Sequence, residues 1–372
     1  MHPPPSLVYW EITKRCNLRC MHCRAIPQTR SSPEELSLAE GFRLIDAIVE
    51  VGRPILVLTG GEPLVRHDVF DLATYGTWRG LRMALATNGT LVRREVAKQV
   101  VEAGFTRVSI SLDGPDADTH DRFRRVSGAF DQAVDGFVRL KELGMSMQVN
   151  TTVTLQNRER LEEIHELVRK LGADAWHLFL LVPVGCGLEI TERAQLTPRE
   201  YEEVLYWIDD LARTETLEVR ATCAPHAQRI RLQRQAMLER EAGLVSRISQ
   251  EATPAEHVLR DTLHEVRATN QARRGCLAGT RICFVSHRGE VFPCGYLPVS
   301  AGNVPTQSFS DIWDNARIFA VLRDPDLLSG KCGACEYRIV CGGCRARAFG
   351  QTGNYLSEEP FCNYLPASAG SE

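Results

Sequence analysis

Eleven of the thirteen cysteines in this 372-residue chain fall into two bunches, Cys16 to Cys23 and Cys276 to Cys362. Thiols grouped in this way either pair as disulfides in an oxidising compartment or hold metal in a reducing one. The first residues, MHPPPSLVYWEITKRC, lack the basic-then-apolar plan of an export signal. No uncharged apolar run is long enough to span a bilayer. The expectation is a cytoplasmic chain whose cysteines bind metal. Metal then constrains the fold, because a segment around a metal group can fold with little apolar core of its own. The formal net charge of -3, from 44 basic and 47 acidic residues, points away from nucleic acid and membrane surfaces as partners.

Between the bunches the pattern is of the α/β class. Up to about residue 185, short apolar runs alternate with amphipathic stretches. Leu56 to Leu58, Met83 to Leu85, Val108 to Ile110 and Met147 to Val149 read as buried parallel strands, with Trp176 to Val182 as a last one. Leu91 to Ala103 and Leu161 to Leu171 read as helices between them. Such alternation builds an open sheet or a barrel. Residues 186–270 read as a helical bridge. In it Thr197-Pro198-Arg199-Glu200 has the form of a capping box with proline at the first helical position, opening a helix over Tyr201 to Leu211. Residues 271–364, rich in Gly and Cys, read as a small metal-bearing domain, and 365–372 as a frayed tail.

Cys16, Cys20 and Cys23 form a C-x3-C-x2-C run directly after a candidate strand, Val8 to Ile12. Three thiolates on one short loop can hold three irons of a cubane and leave the fourth iron open; a structural zinc knuckle is the alternative. The stretch Thr13-Lys14-Arg15-Cys16-Asn17-Leu18-Arg19-Cys20-Met21-His22-Cys23 resembles the signature of the radical S-adenosylmethionine superfamily. His22 stands where an aromatic residue is common. The resemblance covers about residues 6 to 185 and implies a partial (β/α)6, TIM-like barrel. It also implies a [4Fe-4S] cluster and S-adenosylmethionine, whose reductive cleavage gives a 5′-deoxyadenosyl radical. The cofactor carries the hard chemistry and the protein positions it.

Further strand ends fit the same resemblance. Gly60-Gly61-Glu62-Pro63 follows the second strand, and glycines there let backbone approach a ligand closely. Asn88 in Thr87-Asn88-Gly89, Ser111 and Asp113 in Ser109 to Gly114, and Asn150 end three more. Arg124 matches a position that in the family often binds the carboxylate of S-adenosylmethionine. Polar groups at the C-terminal ends of successive parallel strands converge on one mouth of a barrel.

The second bunch holds eight cysteines, enough for two four-cysteine clusters. Cys332 to Cys344 reads C-x2-C-x5-C-x2-C, then seventeen residues and Cys362, and Gly289 to Cys294 reads G-x4-C. This resembles the SPASM extension of radical enzymes, which carries auxiliary [4Fe-4S] clusters. The usual last gap there is one residue longer than the gap before Cys344. The family's interleaved pattern implies Cys276, Cys283, Cys294 and Cys344 for one cluster and Cys332, Cys335, Cys341 and Cys362 for the other. One auxiliary cluster with spare thiols, or zinc, are the alternatives. Cys186 and Cys223 fit neither set.

The stretches Gly275 to Gly279, Cys283 to His287, Pro293 to Leu297, Thr222 to His226 and Cys341 to Ala348 resemble the heme synthases of the siroheme-dependent pathway. That resemblance implies oxidative decarboxylation of two propionates of iron-coproporphyrin III, a tetrapyrrole partner, and an electron donor such as ferredoxin or flavodoxin. His226 is then a candidate ligand of the substrate iron. Arg229 and Arg231 are candidate carboxylate anchors, against the alternative of a solvated helix face. The competing readings are a sister enzyme acting on siroheme acetates or heme d1 precursors, a SPASM peptide maturase, and a multi-cluster electron carrier. The maturase is disfavoured by the short stretch ahead of Cys16, which leaves no room there for a peptide-recognition domain.

Overall fold

The computed structural model describes residues 2–30, 32–247 and 274–366. The rest of the expected helical bridge (248–270), the start of the expected metal-bearing domain (271–273) and the end of the expected tail (367–372) lie outside the described residues. Seven strands follow the chain in order, each parallel to the one before: β1 (Leu7–Glu11), β2 (Ile55–Thr59), β3 (Arg82–Thr87), β4 (Phe105–Ser111), β5 (Met147–Val153), β6 (Ala175–Leu180) and β7 (Glu218–Thr222). On the other side of β1 lies β8 (Ile282–Val285), also parallel. The short strands β9 (Glu290–Phe292) and β10 (Gly302–Asn303) extend it antiparallel. The helices α1 (Leu38–Val51), α2 (Val69–Trp78), α3 (Arg94–Glu102), α4 (Ala117–Arg124), α5 (Ala129–Glu142), α6 (Leu161–Lys170) and α7 (Gly187–Ala194) fill the connections.

The expected mixed α/β fold with a parallel, barrel-forming sheet is therefore present. The register explains why the strand sequences are so apolar. Leu58, Leu85, Val108 and Met147 form one cross-strand row, and Ile110, Val149 and Trp176 part of another, all fully buried. Trp10 on the same face takes the contact of α1, where Gly41 leaves room for its ring. The opposite face is different. Ser111, Asn150 and His177 align across β4, β5 and β6, half-buried and polar. One face is a core and the other a lumen that can solvate a ligand. Four strands, β7 to β10, come from stretches where no strand was expected. β7 has a half-exposed alternating pattern without a continuous apolar run, and β8 is only four residues long.

Among the described residues the chain divides into two units. The first takes residues up to Leu196, Glu215–Thr222 and Leu277–Asp324; the second takes Thr197–Thr214, the described part of Cys223–Cys276, and the described residues from Pro325 on. The second unit contains α8 (Pro198–Thr214) and α9 (His226–Arg247). The Thr197 capping box is formed: Thr197 Oγ1 accepts from the Glu200 amide at 3.3 Å, and Glu200 Oε2 accepts from the Thr197 amide at 2.8 Å. Among the described residues no helix is long and apolar enough to cross a membrane.

Candidate functional site

In the first unit the three cysteines of the first bunch lie on the loop that leaves β1. The loop closes on itself, with the Cys16 amide donating to Gln28 O at 3.1 Å and the Cys23 amide to Cys20 O at 3.3 Å. Cys16, Cys20 and Cys23 pack together with Leu18, Val126 and Ala129. Burial pushes the Cys16 thiol up to about 12 and the Cys23 thiol to about 11. Thiols held this way ionise when a metal supplies positive charge. Among the described residues no three His, Cys, Asp or Glu side chains converge on one point as ligands of a single ion. A cubane asks for something else, one thiolate per iron at separate corners.

The GGEP turn reaches this loop directly. The Gly61 amide donates to Thr13 O at 2.8 Å and the Glu62 amide to Arg15 O at 2.7 Å. A β-carbon on Gly61 would lie 2.2 Å from Arg15 O, and one on Gly60 2.5 Å from Thr13 O. The glycines thus permit an approach of backbone to the cysteine loop itself, where a ligand had been the expected neighbour. Glu62 is fully buried. Its carboxylate accepts from the Leu64 amide, Thr87 Oγ1 and the Asn88 amide at 3.0, 2.7 and 2.7 Å, tying the ends of β2 and β3. Burial pushes its carboxyl up to about 7, against those hydrogen bonds. Pro63 starts a single 3-10 turn after it. Asn88 donates to Asn17 Oδ1 at 2.9 Å, and Asn17 donates to Thr90 Oγ1 at 2.8 Å, so the strand end also grips the cysteine loop. Asn17 was not singled out from the sequence, since a lone polar residue between two cysteines carries no pattern.

Asp113 is the hub at the end of β4. It is fully buried, accepts from the Thr152 amide at 2.8 Å, and forms a very short ion pair with the Arg124 guanidinium. Arg124 also donates to Cys20 Sγ at 3.4 Å. His22 Nε2 lies 3.4 Å from Asp113, and burial pulls its pKa down to about 4. Burial works against the Asp113 carboxylate, but Arg124, His22 and His120 outweigh it and hold its pKa below the usual range. Two buried polar atoms here have no partner, Arg124 Nε and His22 Nδ1. An orphaned donor beside a cysteine loop is costly unless a bound group meets it, so this corner fits a ligand. Arg124 is nevertheless part of an ion pair and a sulfur contact, more than the free carboxylate clamp the sequence led one to expect. Ser111 and Asn150 are half-buried register partners at the lumen face, and Gln148 Nε2 donates to Asn150 Oδ1 at 2.7 Å.

Behind the loop, Glu11 accepts from Arg24 at 2.6 Å and pairs with His287 at 2.9 Å. Arg24 lies over the Phe284 ring, 4.3 Å from its centroid. This links the cysteine loop to the β8–β9 hairpin. Cys283 is buried within β8 in register with Val8, and Cys294 follows β9 half-buried.

The second unit holds a small cavity lined by Cys332, Cys335, Cys341 and Cys362, with His226, Arg229 and Glu359 also in its wall. These four thiols are the set expected for one cluster. Burial pushes Cys335 up to about 11 and Cys341 higher. Cys344 is not among the lining residues. Gly342 and Gly343 both have positive φ, +67° and +62°; that turn separates Cys341 from Cys344, and a side chain at Gly343 would run into Glu359. Cys276 belongs to the same unit and pushes the Cys344 thiol further up. Arg347 and Glu359 form a wholly buried ion pair at 3.0 Å. Glu359 also accepts from the Cys344 amide at 2.6 Å, and its own amide donates to Cys332 Sγ at 3.3 Å. Glu359 was missed from the sequence, where an acidic pair ahead of a proline reads as surface.

The expected tetrapyrrole contacts are placed differently. His226 is buried in the cavity wall with both ring nitrogens unpartnered, and burial pulls its pKa down to about 3. Arg229 is buried there too, donating to Glu202 at 2.6 Å and Gln233 at 2.7 Å. Neither stands on an open face where a large substrate could reach it. Arg231 is exposed, with Asp209 3.6 Å away, which leaves its guanidinium open to solvent or to an added carboxylate.

Comparison with known proteins agrees with this arrangement. The Radical SAM superfamily matches residues 10–171, and an iron-sulfur cluster-binding domain of the SPASM type matches residues 276–336, ending ahead of Cys341. Streptococcus suis SuiB bound to S-adenosylmethionine superposes over 97% of this chain and 78% of its own with a TM-score of 0.72 at 15% identity, a likeness of fold. The protein is a radical S-adenosylmethionine enzyme that carries a [4Fe-4S] cluster, S-adenosylmethionine and auxiliary iron–sulfur. The AdoMet-dependent heme synthase of Methanosarcina barkeri is 45% identical over 97% of both chains. The pre-heme d1 synthase of Dinoroseobacter shibae is 32% identical over 99% of this chain and 88% of its own. The Fe-coproporphyrin III synthase of M. barkeri is 31% identical over 96% and 87%. The chain belongs to the family of the AdoMet-dependent heme synthases.

Proposed function

We propose that this enzyme converts two propionates of iron-coproporphyrin III to vinyl groups in sequence, giving heme b. Each step removes one hydrogen from the propionate carbon joined to the ring. It then releases CO2 and one electron, so the reaction needs a hydrogen acceptor at the barrel mouth and an electron acceptor elsewhere. With their groups bound, the Cys16–Cys20–Cys23 loop supplies the 5′-deoxyadenosyl radical and the auxiliary iron–sulfur supplies the electron sink. The observation that carries the reading is the buried four-cysteine cavity. A cluster held there can take the electron that an oxidative decarboxylation releases with CO2. The higher identity to a heme synthase than to the sister enzymes, 45% against 31% and 32%, supports the choice of substrate.

The chain's own groups then divide the work. Cys16, Cys20 and Cys23 hold the radical-forming cluster. Gly60, Gly61, Glu62 and Pro63 set the turn beside it. Asn88, Ser111 and Asn150 present polar atoms toward S-adenosylmethionine, and Asp113 holds Arg124 so that Nε meets the ligand. Cys332, Cys335, Cys341 and Cys362 hold one auxiliary cluster. Arg231 is the remaining anchor for a tetrapyrrole carboxylate. A ferredoxin or flavodoxin delivers the initiating electron. The test is anaerobic incubation with iron-coproporphyrin III, S-adenosylmethionine and reductant, followed by mass analysis. Successive loss of two CO2 is expected. Turnover of didecarboxysiroheme at its acetates, with iron-coproporphyrin III untouched, would place the enzyme with the sister family.

A further inference from the structure

His226 and Arg229, first read as substrate residues, are buried in the wall of the four-thiol cavity, and each carries a side-chain nitrogen without a partner. His226 opens α9 and is 2% exposed. The Tyr201 ring meets it edge-on, with centroids 5.3 Å apart and planes at 88°. Tyr201 is itself pinned, donating to Cys223 O at 3.2 Å. The imidazole plane is therefore fixed, while both its nitrogens lack a partner. A buried N–H in that state is costly, and the cavity it borders is walled by four thiols. Arg229, one helical turn on, repeats the pattern. Two of its nitrogens go to Glu202 and Gln233, its Nε has no partner, and Cys362 and Cys341 act on its charge.

Four cysteines complete a cubane with one thiolate per iron, which leaves no iron for an imidazole. A cluster held by the four cysteines would bring thiolate and sulfide sulfurs, which can accept hydrogen bonds, into the cavity that His226 borders. We propose that the His226 imidazole donates a hydrogen bond to a sulfur of the cluster held by Cys332, Cys335, Cys341 and Cys362, and that this contact, with the Arg229 guanidinium beside it, raises that cluster's reduction potential. Hydrogen bonds to sulfur and nearby positive charge both favour the reduced, more negative cluster. His226 is thus a positioning residue for the electron acceptor, and its part in decarboxylation is indirect. The inference rests on the reading that these four cysteines hold a cluster.

The test is a potentiometric titration followed by electron paramagnetic resonance. It uses the full chain carrying Cys16→Ala, Cys20→Ala and Cys23→Ala, so that only auxiliary signals remain. His226→Leu is expected to keep the iron content and to lower one midpoint by about a tenfold change in the reduction equilibrium, ~59 mV for one electron. His226→Gln, which retains a donor, is expected to recover most of that shift. Arg229→Met keeps the stem, removes the charge and must lower the same midpoint. Unchanged midpoints in His226→Leu or in Arg229→Met overturn the proposal. So does loss of iron in both His226 variants, which would make the imidazole a ligand or a purely structural group. Cys335→Ala combined with Cys341→Ala separates the two levels: if it removes no iron, the cluster reading itself fails and not the role of His226.

Discussion

Replacing Glu359 by Gln tests how the auxiliary-cluster unit is held together. Glu359 and Arg347 are both fully enclosed, and the carboxylate also takes the Cys344 amide. Burial acts against the Glu359 carboxylate, but the Arg347 charge and the Cys344 amide outweigh it and hold its pKa below the ordinary value. Gln keeps the shape and can still accept from the Cys344 amide, but it leaves the Arg347 charge buried without a counter-charge. Breaking a buried pair in this way costs about 3–5 kcal/mol, a large part of the ~5–15 kcal/mol that holds a domain folded. At roughly 3 °C per kcal/mol the melting temperature falls by on the order of 10 °C. Arg347→Met combined with Glu359→Leu removes both charges and is expected to cost less than Glu359→Gln alone, despite losing hydrogen bonds to Cys344 and Cys223. The assay is differential scanning calorimetry of anaerobic protein with iron counted in the same samples. A Glu359→Gln variant that melts within a degree of the parent and keeps all its iron would refute this reasoning.

Cys16→Ala, Cys20→Ala or Cys23→Ala is expected to abolish 5′-deoxyadenosine formation while the iron of the C-terminal cysteines stays; cleavage at the parental rate in any of them contradicts the assignment. Gly61→Ala forces a β-carbon 2.2 Å from Arg15 O and is expected to cut deoxyadenosine formation at least tenfold, read by chromatography. Anaerobically purified protein is expected to hold about twelve irons per chain, three cubanes of four, against about eight for a single auxiliary cluster; stoichiometric zinc would overturn both counts. For Glu11, burial raises the carboxyl, but the His287 and Arg24 contacts outweigh it and hold its pKa below the ordinary value of about 4.5. Its contribution is intact above that pH and lost as pH falls through the lowered folded value. Glu11→Gln is accordingly expected to show a shallower loss of melting temperature below pH 4.5 than the parent.

The sequence carried the sheet and the first cysteine loop because both rest on local pattern. Leu56 to Leu58 or Val108 to Ile110 can hardly be anything but buried parallel strands when helices cover one face and a filled lumen the other. The capping box at Thr197 was legible for the same reason, since its two partners are three residues apart. What stayed hidden depends on long-range geometry. β7 pairs with β6 across two helices and has no apolar run of its own, and β8 returns from the C-terminal region to pair with β1. The Asp113–Arg124–Cys20 chain joins three segments that sequence spacing does not connect. His226 and Arg229 illustrate the limit most clearly. Their residue types suggested ligand work, but only the fold shows that both are buried in the wall of a cavity that four cysteines also line.

The most direct measurement uses iron-coproporphyrin III deuterated at the propionate carbons joined to the ring. Under anaerobic turnover with S-adenosylmethionine and reductant, one deuterium is expected in each 5′-deoxyadenosine formed, together with a porphyrin lighter by two CO2 and carrying two vinyl groups. Unlabelled deoxyadenosine, or labelled deoxyadenosine with the propionates intact, would contradict hydrogen abstraction at that carbon as the step that leads to decarboxylation.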